Sequence, residues 1–131
     1  MSYSLFLQVM SHLSGEKRGR FNIEGQTFFI ERQQKYPKKE IWVLSTKVFN
    51  GEGYLPPTIR DCISSSGVLR WQTRGASLKL EPLSKSVFLM HEIEPAKHFI
   101  PFRSLMRDFI DLAQEWRTHF DDLSSKDLNY I

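Results

Sequence analysis

FRSLMRDFIDLAQEWRTHF, residues 102–120, is the stretch that decides the fold of this 131-residue chain. Its apolar side chains fall at Phe102, Leu105, Met106, Phe109, Leu112, Ala113, Trp116 and Phe120. The steps of three, one, three, three, one, three and four trace the stripe of an amphipathic helix. Pro101 suits the first turn, where a missing N–H costs nothing. A stripe this wide left in water would promote aggregation, so it is expected to lie on the chain's own sheet.

The elements before that helix follow from local signals. Ser4 or Ser2 can cap a first helix running to about His12, with Leu5, Phe6, Val9, Met10 and Leu13 on one side, and Gly15 ends it. Arg20 to Gln33 reads as extended, interrupted at Gly25 and Gln26, because it is rich in β-branched and aromatic residues. KYPKK is a turn, and EIWVLSTKVF is a strand with Trp42, Leu44, Thr46 and Val48 on one face and Ile41, Val43, Ser45 and Lys47 on the other. NGEGYLPP is a loop. Pro57 opens a short helix through Cys62 and Ile63 that stops at SSSG. VLRWQTRG links to the strands ASLKLEP and KSVFLMHEIE, joined by a turn at Leu83 and Ser84. The order is α-β-β-β-α-β-β-α, an α+β fold in which an antiparallel twisted sheet takes the helices. One domain over residues 1–123 is expected, with 124–131 as a flexible tail.

Composition narrows the function. Hydrophobic content of 40% and charged content of 25% are ordinary for a folded soluble protein. No apolar run approaches the ~18–20 residues that span a bilayer. MSYSLFLQVMSHLSG lacks a basic leader and does not read as a signal peptide, so a cytoplasmic protein without membrane insertion is expected. The single cysteine, Cys62, rules out an internal disulfide framework. The net charge of +3 is unevenly spread: residues 1–107 hold 16 Lys/Arg against 9 Asp/Glu, whereas 108–131 hold 2 against 6. Lys17, Arg18 and Arg20 form one basic cluster, and Arg32, Lys35, Lys38 and Lys39 another. Both could contact phosphates, but charged turns flanking strands are the commoner reason for such runs.

Catalytic and metal-ligating patterns are missing from the sequence. His91, Glu92, His98 and His119 have no metal-ligand spacing. Ser64, Ser65, Ser66 and Gly67 lack the nucleophile-elbow context, and Gly51-Glu52-Gly53 lacks that of a phosphate loop. Asp121 and Asp122 are neighbours that a helix turns about 100° apart. Cys62 has no identifiable base near it in sequence. No enzyme activity, cofactor or metal is expected.

The element order, with the block SLKLEPLSKSVFLMHEIEP followed by IPFRSLMRDFIDLAQEWR, resembles the class I type III secretion chaperones, the family that includes the chaperones of the Tir and YopE effectors. The resemblance covers residues 3–123. It rests on two strands ending in VFLMHEIEP and a helix carrying Leu105, Phe109, Ala113 and Trp116. It implies a bacterial cytosolic homodimer that binds the unfolded N-terminal segment of a secreted effector and keeps it competent for export. It also implies client contacts at Leu5, Phe6, Val9, Phe28, Phe29 and Ile30. Dimer contacts would come from Ile59, Cys62, Ile63, Val68, Leu69 and Trp71. The family is acidic, whereas this chain has a pI near 9.1, which leaves the electrostatics of the partner open. Two other readings stand beside it: a basic nucleic-acid-binding domain using EKRGR and RQQKYPKK, and a chaperone-fold subunit of a heterodimer or secretion assembly.

Overall fold

The structure is a computed structural model and describes residues 1–35, 37–64 and 75–128. In chain order these residues form α1 (Tyr3–Gly15), β1 (Arg18–Ile23), β2 (Gln26–Lys35), β3 (Lys39–Phe49), α2 (Pro57–Ser64), β4 (Ser77–Glu81), β5 (Ser86–Ile93) and α3 (Phe99–Leu128). This is the order that the sequence pattern predicts. The five strands form one sheet in the order β1-β2-β3-β5-β4, with β1 and β4 at its edges.

Helix ends follow the expected chemistry with one exception. The Ser2 hydroxyl accepts from the Leu5 amide at 3.1 Å, which makes Ser2 rather than Ser4 the cap of α1. The exception is α3, which runs on through Leu128 instead of ending near Phe120. Residues 124–128, expected as tail, are helical. Ser124 and Ser125 are weak helix formers but not breakers, and neither proline nor glycine follows Phe120 to stop the helix.

Two compact units can be distinguished, each drawn from two stretches of chain: residues 1–46 with 91–110, and residues 47–90 with 111–131. In the first, Phe6, Val9 and Leu13 of α1 are buried together with Phe21, Ile23, Phe28, Ile30, Phe102, Met106 and Phe109. Phe6 meets Phe102 at 5.6 Å between ring centroids, and Phe28 meets Phe109 edge-on at 6.0 Å. Ile110, which lies off the predicted stripe, is buried as well.

Strand β3 departs from simple alternation, since Ile41, Trp42, Val43 and Leu44 are all buried. Ile41 lies opposite Gln33 and Val43 opposite Glu31. Gln33 and Glu31 are half-buried, and the methylene stems of such side chains can shield an apolar neighbour across the ladder.

In the second unit, Ile59, Val87, Leu89, Leu112, Ala113, Trp116 and Phe120 are buried. The Thr58 hydroxyl donates to the Leu123 carbonyl at 3.3 Å, tying α2 to α3. The β4–β5 turn is held by Glu81, whose carboxylate accepts from the Leu83 amide, the Ser84 amide and the Ser84 hydroxyl. Those bonds, the Ser84 hydroxyl foremost, hold the carboxyl down at about 2. The Gly51-Glu52-Gly53 segment docks on the same turn, with the Gly53 amide donating to the Ser84 carbonyl at 2.7 Å. A Cβ on Gly51 would run into the Lys85 carbonyl. Gly51 thus serves close backbone packing, and Gly53 supplies a positive φ of 87°.

Candidate functional site

Helix α1 carries more apolar surface than its unit covers. Phe6, Val9 and Leu13 face inward. Tyr3, Leu7 and Met10 form a second stripe at i, i+4 and i+7, turned by roughly 90° from the first at about 100° per residue. Tyr3 is 56% exposed and Leu7 48%, and Met10 is half-buried. The Tyr3 ring meets Phe99, in the first turn of α3, edge-on at 5.3 Å. Next to Phe99, Ile100 is 64% exposed. An exposed cluster of large apolar side chains on one part of a small domain marks an interaction surface.

The candidate client residues divide sharply. Phe6, Val9, Phe28 and Ile30 are core, enclosed by their own unit, and cannot offer a surface to a partner without unfolding it. Leu5 and Phe29 remain partly exposed. Periodicity identifies α1 but favours its inward stripe; the exposed Tyr3 and Leu7 lie off that stripe, and the exposed Ile100 lies on α3. What signals Tyr3 and Leu7 is surplus: an apolar arc on α1 wider than a helix needs to cover one sheet face.

The β1–β2 hairpin borders this helix. Glu24 and Gly25 form its two-residue turn with φ of 53° and 77°, the positive values of a type I′ turn. Arg107 grips the Glu24 carboxylate with two bonds of 2.7 and 2.9 Å, and this pairing holds the carboxyl below its ordinary range. Beyond the turn, Arg18 lies 4.6 Å over the Phe29 ring, and Arg20 is the cross-strand neighbour of Phe29. At the far end of β1, His12 Nε2 donates to the Arg18 carbonyl at 2.9 Å. Gly19 makes room for this: a Cβ there would fall 2.6 Å from the Phe21 ring and 2.8 Å from His12.

No family model matches this chain, and neither a curated protein nor a solved structure is significantly similar to it. Its own geometry carries the functional reading.

The candidate dimer residues fare unevenly. Ile59 is fully buried within its unit, because it packs as core beneath α2, and it is therefore not available to a second copy. Cys62 and Ile63 are half-buried. Val68, Leu69 and Trp71 lie outside the described residues. The fold also brings His119 to Cys62, with Sγ and Nε2 4.0 Å apart, a neighbour that sequence separation concealed. Burial pushes the Cys62 thiol up from its usual value, which keeps it protonated and is the opposite of what a nucleophile needs. Among the described residues no three His, Cys, Asp or Glu side chains cluster as a metal site, and no helix is long and apolar enough to cross a membrane.

Proposed function

We propose that this protein is a secretion chaperone of the class I type III kind, which holds the unfolded N-terminal segment of an effector without catalysis. The observation that carries the reading is the exposed apolar surface of Tyr3 and Leu7 on α1, with Ile100 on α3, in a unit that also holds the edge strand β1, within the α-β-β-β-α-β-β-α order of the resembling family. An exposed apolar helix face and a sheet edge offer an unfolded polypeptide the two kinds of contact it can use, side-chain anchors and backbone hydrogen bonds. Such a client is ordered only on binding, so it needs a broad surface rather than a deep pocket.

The working form in this reading is a cytosolic dimer, homodimer or pair with a related chaperone, in which Cys62 and Ile63 of α2 contribute to the interface. The test is a pull-down from the native host with mass spectrometry of the retained protein, paired with light scattering of the purified chain. A secreted protein held through its N-terminal segment, and a mass about twice 15.4 kDa, are the expected results. Recovery of nucleic acid alone, or of a folded partner, would overturn the reading.

A further inference from the structure

The hairpin geometry fixes which backbone groups of β1 face away from the sheet. Ile23 and Gln26 flank the two-residue turn and are a hydrogen-bonded pair, so in an antiparallel ladder the bonded pairs continue at Phe21 with Phe28 and at Gly19 with Ile30. The Arg32 amide, which donates to the Lys17 carbonyl at 2.8 Å, extends the same series. The amides and carbonyls of Arg18, Arg20 and Asn22 therefore point outward from the edge. His12 occupies the Arg18 carbonyl. Arg20 and Asn22, both exposed, keep their outward groups unpartnered among the described residues.

The side chains along this edge are sorted by face. Arg18, Arg20 and Asn22 are exposed on one face, while Gly19, Phe21 and Ile23 are buried on the other. Glu31 sits across from Arg18, but Arg20 faces Phe29 and has no carboxylate opposite it on β2. Any strand added here would place alternate residues beside Arg18 and Arg20 and the intervening ones beside Phe21 and Ile23.

We propose that the edge of β1 pairs with an extended acidic segment, in which carboxylates alternate with apolar side chains. The carboxylates lie beside Arg18 and Arg20, and the apolar residues continue the buried row of Phe21 and Ile23. A second copy of β1 is a poor occupant, because antiparallel pairing of two such edges sets arginine near arginine. His12 occupies the Arg18 carbonyl, so the outward backbone bonds are made at Arg20 and Asn22, and Arg18 contributes its side-chain charge. This rests on the chaperone reading only in taking the segment to be part of an unfolded client. It also gives the basic character of the chain a purpose: the edge selects clients by charge.

The test uses the full chain and synthetic peptides alternating Glu with Val or Lys with Val, with binding measured by calorimetry and amide exchange by NMR. The acidic peptide should bind roughly tenfold or more tightly than the basic one, weaken with added salt, and protect the Arg20 and Asn22 amides. Arg20→Glu should reverse the preference. Asn22→Pro removes an outward amide without touching the ladder, so it should abolish peptide binding and leave the thermal melt nearly unchanged. Equal binding of the two peptides, or binding without protection at Arg20 and Asn22, would overturn the proposal. So would an oligothymidylate that outcompetes the acidic peptide at this edge, which would assign the face to nucleic acid. A secreted client recovered from the host, but captured equally by wild type and Arg20→Glu, would sink the edge and spare the chaperone reading. Acidic-peptide binding with no secreted client in the pull-down would do the reverse.

Discussion

Two parts of the molecule treat their surfaces in opposite ways. In the unit built from residues 47–90 and 111–131, the C-terminal half of α3 buries Leu112, Ala113, Trp116 and Phe120. There the turn before β5 is closed by Glu81 and by the docked Gly51–Gly53 segment. In the unit built from residues 1–46 and 91–110, α1 buries one stripe and leaves a second partly exposed, and Arg20 and Asn22 of β1 keep outward backbone groups unpartnered among the described residues. The first region spends its apolar and hydrogen-bonding capacity on itself, whereas the second holds part of it in reserve. Reserve of this kind is what a binding protein needs and what a purely structural domain avoids.

The largest effects should come from the closed region. Trp116→Ala removes a buried aromatic and should cost about 3–5 kcal/mol in urea unfolding. A cost under about 1 kcal/mol would show that the α3 stripe is not core. Gly51→Ala should come next, at roughly 1–3 kcal/mol, because the added methyl meets the backbone carbonyl of Lys85 rather than a movable side chain. An unchanged melt would mean that the Gly51–Gly53 segment is not held against the turn.

A smaller effect belongs to pH. The Glu81 carboxyl is lowered from 4.5 to about 2 on folding, so its ionised form stabilises the turn at neutral pH. That contribution is complete above the ordinary carboxylate range and is lost as pH falls from there through about 2. Urea melts across this range should fall more steeply for wild type than for Glu81→Gln. Parallel curves would remove Glu81 from the account.

How much of this was legible in the sequence follows from where the signals lie. The α3 stripe repeats over many turns, and the β1–β2 turn carries its own glycine, so both could be read locally. The role of Gly51 could not, because it depends on Lys85, which is distant in sequence. Nor could the nearness of Cys62 and His119. The candidate site was half legible for a related reason: periodicity shows that α1 is amphipathic, but which of two adjacent stripes stays exposed depends on the elements packed against it. Phe6 took the core position beside Phe99 and Phe102, and Leu7 was left outside.

The smallest expected change in stability gives the most direct test of the central claim. Leu7→Asp places a charge on the exposed stripe of α1 and should alter the unfolding free energy by no more than about 0.5 kcal/mol, as surface substitutions usually do. The measurement is effector capture by this variant from host lysate, scored against wild type at equal folded concentration. The account predicts that Leu7→Asp folds like wild type and loses most of its captured client. Full capture by a folded Leu7→Asp protein would contradict it and remove α1 from the binding surface.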